Sequence, residues 1–180
     1  INGRNIIFRY IRSRPGYREK DGGRPGHRDA LQVVRNSRDV IVDHVSVSWG
    51  SDENFSLSGD IRNVTVQSCI IAEALDFYDP ENTPPNHGFG SIIGSQTDGD
   101  LSCHHNLWAH HSKRSPRISG RDSERCLIDF RNNVIYDASQ ETGHNRPGAL
   151  IDLNYVGNFL KFGPSTPEEL KYRLFKVQGT

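Results

Sequence analysis

The sequence has no methionine, no net charge and no long apolar run, and each absence excludes something. Nothing approaches the roughly 18 consecutive apolar residues of a membrane-spanning helix, so no such helix is expected. Twenty-two basic residues balance twenty-two acidic ones, so no global field draws the chain to nucleic acid or to a membrane, and any electrostatic function is local. No secretory leader is recognisable at INGRNIIFRY, which reads as starting in mid-coil; the expectation is a processed chain or a piece of a longer one. Cysteine is scarce and odd in number: Cys69, Cys103 and Cys126 read as small buried hydrophobes, the alternative being a Cys69–Cys103 or Cys103–Cys126 bridge. Their spacing fits no zinc or redox motif, and the histidines show no zinc-ligand spacing. There is no EF-hand, HExxH, GxSxG or glycine-rich phosphate loop. The apolar fraction, 34%, is low for a compact globule but too high for disorder.

What is present is a period. Asn5–Arg12, Ala30–Val34, Asp39–Ser48, Asn63–Ile71, Leu101–Trp108, Leu127–Ile135 and Ile151–Leu160 are β-branched, alternating runs that read as strands. Aligned, they place Val45, Cys69, Asn106, Asn133 and Asn158 in one column, with steps of 24, 37, 27 and 25 residues. One dominant strand per twenty-odd residues indicates a solenoid, an all-β right-handed parallel β-helix, over residues 1–180. Stacked asparagines in such a column can bond the backbone of the next coil, a structural role. Loop insertions are expected near 13–28 and 76–90 and a short helical segment near 167–177. A β-sandwich would not repeat one polar turn residue so regularly, and an α/β fold needs more than one amphipathic helix. Neither end offers a cap, so the domain is expected to be part of a longer helix.

The densest functional run is Cys103–Gly120, CHHNLWAHHSKRSPRISG. Cationic side chains crowded at a strand end, in a chain without net charge, suit an anion. In Lys113–Arg117 the guanidinium forks of Arg114 and Arg117 match carboxylates, while Pro116 stiffens the backbone. Strand geometry sends His104 and His105 to opposite faces, so at most one reaches a groove. Asp29, Asp52 and Glu53, with Asp43 as a further candidate, are the acidic counterpart; oxygen-only ligands suit a hard cation such as calcium.

From Asn5 to about Thr166 the chain resembles the pectate lyase superfamily of polysaccharide lyase family 1. The resemblance rests on NIIFRYIRSRPG, DAL, DVIVDHVSVSWGSDENFSL, NVTVQSCIIAEAL, HGFGSIIG, HHNLWAHHSKRSPRISG, FRNNVIYD and NYVGNFLKFGPST, in that order. It implies a parallel β-helix that cleaves α-1,4-galacturonan by β-elimination, secreted (extracellular or periplasmic), acting as a monomer on an acidic polysaccharide. Arg114, two residues before Pro116, takes the place of the family's catalytic arginine. The position five later, often a second arginine, is Ser119, and Arg117 stands two residues before it. Asp29 and Asp52 match calcium carboxylates, but the partner positions are His27 and Ser56, and a lysine expected within His87–Gly94 is Phe89. The resemblance therefore implies Arg114 as base, Lys113, Arg117, His111 and His87 as substrate contacts, and Asp29, Asp52 and Glu53 as calcium ligands. A glycoside hydrolase on the same fold, which needs two flanking carboxylates, and a non-catalytic polysaccharide-binding β-helix are the alternatives.

Overall fold

The structure, a computed structural model, describes residues 1–16, 28–76 and 87–179. The chain winds as a right-handed coil whose turns each add one strand to three parallel, six-stranded sheets. The first sheet holds Arg4–Arg9, Arg38–Asp43, Arg62–Gln67, Asp100–His104, Cys126–Arg131 and Ile151–Val156. The second is made of shorter strands, among them Ile70–Ala72, Leu107–Ala109 and Val134–Tyr136. The third, which carries the candidate site, holds Leu31–Val34, Glu53–Ser58, Phe89–Gly94, Arg117–Ser119, Gly143–Asn145 and Phe175–Lys176.

In-register parallel pairing turns the period-2 pattern of each strand into continuous stacks. Val42, Val66, Cys103, Phe130 and Tyr155 line up across the first sheet, and Val33, Leu57, Ile93 and Ile118 across the third. Phe130 lies flat on Tyr155 with ring centroids 5.1 Å apart, and Trp108 leans on Phe130 at 5.0 Å. A narrow solenoid buries only one residue in two, which is why a low apolar fraction suffices here.

The expected column is a hydrogen-bonded ladder. Asn106 Oδ1 accepts the Cys69 N–H at 2.8 Å, Asn133 Oδ1 the Asn106 N–H at 3.0 Å, and Asn158 Oδ1 the Asn133 N–H at 3.0 Å. Their amides donate to Val66, Cys103 and Phe130 carbonyls at 3.0, 3.0 and 2.8 Å. Lower down, the thiol of Cys69 takes over and accepts the Val45 N–H at 3.4 Å. Asn133→Ala would strip two coils of buried partners at once, and a loss of about 3 kcal/mol is expected, measured as a lower unfolding midpoint with unchanged strand content by circular dichroism.

All three cysteines are free and buried, so neither bridge forms. Burial raises every thiol, Cys69 and Cys126 to about 11, which leaves them inert. Of the short helical segment expected near 167–177, Glu168–Leu170 forms a 3-10 helix, while Phe175–Lys176 joins the third sheet. Sheet pairing outweighs the amphipathic pattern there. Most of the two expected insertions lies outside the described residues. Their margins at Ser13 and at Phe89–Gly90 are already strand. Among the described residues, no helix is long and apolar enough to cross a membrane.

Candidate functional site

Four successive coils of the third sheet meet at its upstream edge. Asp29 precedes the first of its strands; Asp52 precedes the second, which Glu53 opens. The backbone fixes them together, because the Ala30 N–H donates to the Glu53 carbonyl at 3.1 Å and the Glu53 N–H to Asp29 Oδ1 at 3.3 Å. Gly50 is required by this closeness: a Cβ there would stand 2.3 Å from the Glu53 carbonyl oxygen. One oxygen from each of Asp29, Asp52 and Glu53 falls within 4.8 Å of the others. The next coils add Phe89, paired with Glu53, and Lys113, bridged to Phe89.

Arg114 follows, in the left-handed region at φ 62°. Its carbonyl accepts the Ser91 N–H at 2.7 Å, and the Gly90 N–H donates to the Lys113 carbonyl at 2.9 Å. The guanidinium forms an ion pair with Glu53 and lies over the Phe89 ring, with Cζ 3.8 Å from its centroid. Ring and carboxylate therefore hold the fork from two sides.

The electrostatics favour a cation. Burial raises both Asp29 and Glu53 above the ordinary carboxylate value, and Asp52 lifts Glu53 further, to about 7, against the opposing pull of Arg114. Three carboxylates crowded at low dielectric are relieved by a positive charge, and an all-oxygen donor set fits a hard ion. The cluster can thus coordinate a cation.

His111 departs from the sequence reading. It is 2% exposed, packed inside the coil rather than presented at the surface. The Asn54 amide donates to the Ala72 carbonyl at 2.8 Å and lies 3.1 Å from His111 Nε2, so Nε2 accepts; Nδ1 then carries the proton, 3.4 Å from Ser115 Oγ. Gly90 lets the ring in, since a Cβ there would stand 2.8 Å from Nδ1 and 2.5 Å from the Arg114 carbonyl oxygen. Burial, helped by His110, pulls the imidazole down from 6.5 to about 3. The unfolded chain takes a proton below pH 6.5 that the folded one refuses until about pH 3, so this stabilisation is full above 6.5 and lost as pH falls. Between about pH 6 and 4, His111→Gln should flatten the fall in stability by about 1.4 kcal/mol per pH unit, read from denaturant midpoints across that range.

The remaining candidates are placed as follows. His87 Nδ1 lies 3.6 Å from Asp52 Oδ1, its ring against Phe89. Arg117 alternates with buried Ile118 and so faces outward; burial first, then Arg114 and Arg146, hold its guanidinium below the ordinary arginine value. Lys113 is half-buried beside the pair. Asp43 is remote from the trio, at a corner of the first sheet with Arg9 at 2.8 Å and His44 at 2.7 Å. His27 lies outside the described residues.

Sequence reasoning missed two features. Phe89 reads as a lost lysine, yet it is the platform under Arg114. Downstream, Arg121 and Arg146 flank a recess of about 200 Å³ floored by Ser58, Gly94 and Ser119. The coil period carried the signal for Arg146: the 27-residue step from Asn106 to Asn133 puts it one coil beyond Ser119, and its N–H donates to the Ile118 carbonyl at 2.8 Å.

The class these observations define is a single-stranded right-handed parallel β-helix with a cation-competent carboxylate trio beside an arginine on its third sheet. Comparison with known proteins narrows it. Over 167 residues, 92% of its length, the chain is 37% identical to a probable pectate lyase C of Aspergillus flavus and 38% identical to one of Neosartorya fischeri. It is 37% identical over 165 residues to one of Emericella nidulans. The chain spans about a third of the length of these relatives, 34, 34 and 33% respectively. No family model matches it. The chain is thus homologous, over most of its length, to these fungal probable pectate lyases C, and its fold is a parallel β-helix.

Proposed function

We propose that this chain carries the active site of a secreted, calcium-dependent lyase that cleaves α-1,4-linked polygalacturonate by β-elimination. The observation that carries the reading is the guanidinium of Arg114, braced on Phe89 and set directly against the Asp29–Asp52–Glu53 trio. Asp29, Asp52 and Glu53 would hold the calcium, which when bound supplies positive charge that acidifies the proton beside a uronate carboxylate.

In the reaction Arg114 takes the proton from C5 of the sugar, the C5–H electron pair becomes the C4–C5 double bond, and the C4–O glycosidic bond breaks. The departing oxygen leaves with the electron pair and is protonated, and no water is added to the ring. A guanidine acts as a base only in its neutral form. A cation held by the trio would take Glu53 away from Arg114 and leave its guanidinium beside Lys113 and Arg117. Those two side chains are also the forks and point charges for uronate carboxylates, and Arg121 and Arg146 extend the basic strip downstream. His111 is a positioning residue, fixing the Ser115 side of the Arg114 turn from below.

The test is the ultraviolet absorbance of the unsaturated product, recorded with the full-length protein, polygalacturonate and calcium, then with chelator. A calcium-dependent rise is expected. A rise indifferent to chelator would remove the metal from the reading. New reducing ends without absorbance would replace it with hydrolysis, and retention on the polymer without either signal would replace it with a binding protein.

A further inference from the structure

Two consecutive histidines lie outside the site just described, at the corner where the first sheet passes into the second. His104 ends the strand Asp100–His104, and His105 occupies the corner with φ 57°. In an extended strand neighbouring side chains diverge; the left-handed residue breaks that alternation. The two rings converge on the outer surface instead, edge to face at 89°, with centroids 5.1 Å apart and the two Nδ1 atoms hydrogen-bonded at 2.9 Å, one carrying the proton that a metal would displace. The expectation that they face opposite ways is thereby corrected.

We infer that His104 and His105 form a two-imidazole site for a divalent transition metal with right-angled ligand preference, copper(II) or nickel(II). The geometry selects the ion. Two nitrogens each about 2.0–2.1 Å from a metal and at right angles stand about 2.9 Å apart, whereas the tetrahedral angle of zinc would spread them to about 3.3 Å. Square-planar and tetragonal sites of nitrogen and oxygen belong to copper(II) and nickel(II).

The site is held in place rather than assembled by chance. His105 is followed by Asn106, whose side chain is locked into the buried ladder on both sides, and the Ser68 N–H donates to the His104 carbonyl at 3.3 Å. The charged neighbour in the next coil, Arg131, is compensated: its Nε lies 3.0 Å from Asp129 Oδ2. His44, in the same corner column, is occupied by Asp43 at 2.7 Å and is not part of the pair.

The test is titration of the intact protein with copper(II) by calorimetry, in buffer free of chelator, with electron paramagnetic resonance of the same samples. His104→Gln and His105→Asn are the informative variants, because asparagine tolerates the left-handed corner and removes the imidazole. One copper per chain is expected, with resonance splitting from two nitrogens. Each variant should weaken binding at least tenfold and reduce the splitting to one nitrogen, while His44→Gln leaves both unchanged. Copper binding that survives both variants, or that disappears with His44→Gln, overturns the site. If either variant lowers the unfolding midpoint, nickel(II) competition against copper on the wild-type protein decides: displacement by nickel but not by calcium supports the pair, and displacement by calcium assigns the copper to the carboxylates.

Discussion

Arg114→Ala should lower the rate of uronate elimination by about a thousandfold, within the 10²- to 10⁴-fold range that a positioned proton acceptor contributes. The loss belongs in kcat, since Lys113, Arg117 and the downstream arginines would still bind the polymer. Arg114→Lys tests the same point more finely. It keeps a positive charge near Glu53 but gives up the planar fork that stacks on Phe89, so a lysine should restore little activity. A drop in kcat with nearly unchanged KM, measured from the absorbance of the unsaturated product, is the expected pattern. An equal rise in KM with kcat preserved would make Arg114 a binding residue and move the base elsewhere. Folding is not the confounding factor. The truncated site leaves Glu53 without its partner, but a carboxyl already pushed to about 7 can take up a proton and remain buried neutral.

Much of the architecture is legible in the sequence because its period is written in polar residues. Asparagines recurring at steps of 27 and 25 stand out in a way that recurring valines would not, and those steps separate the bonded partners of the ladder. The corners are less legible. Trp49, Glu73, His110 and Asp137 all sit at positive φ in one column, yet none is a glycine. They are held there by coil-to-coil hydrogen bonds, such as the Glu73 N–H to the Ala109 carbonyl at 3.1 Å, which no local propensity encodes. The site divides in the same way. Asp52, Glu53 and Arg114 announce themselves by charge and by the neighbouring proline. His111 misleads, because a histidine in a basic run looks like a ligand-binding group until burial is known; its partner Asn54 is an unremarkable letter between Glu53 and Phe55. Phe89 misleads in the opposite direction: a missing lysine was visible, but the cation–π platform that takes its position needed three dimensions. Arg146 was within reach of the period and shows what register can do once the coil length is fixed.

The second large effect concerns the cation itself and is measured without substrate. Arg114 and a divalent ion held by the trio would compete for the same carboxylate, Glu53. Competition for one ligand is a coupling free energy, so removing either competitor must favour the other. Arg114→Gln is therefore expected to tighten calcium binding about tenfold or more by calorimetry, even as it abolishes turnover. Glu53→Gln should weaken calcium binding by a similar or larger factor: it keeps the side-chain shape, removes one of three negative charges and leaves an amide that still faces Arg114. Asp52→Asn should weaken binding too, but without releasing Arg114, since the ion pair is made to Glu53. The double variant separates electrostatics from geometry. If the guanidinium acts only by occupying Glu53, then Arg114→Gln in the Glu53→Gln background should have much less effect on calcium affinity than alone. An undiminished effect would mean that Arg114 repels the ion through space, and unchanged affinity in the single Arg114→Gln variant would mean that the ion binds without Glu53. In the first case the ion pair would hold the arginine on Glu53 until a cation arrives, coupling the position of the guanidinium to the order of binding.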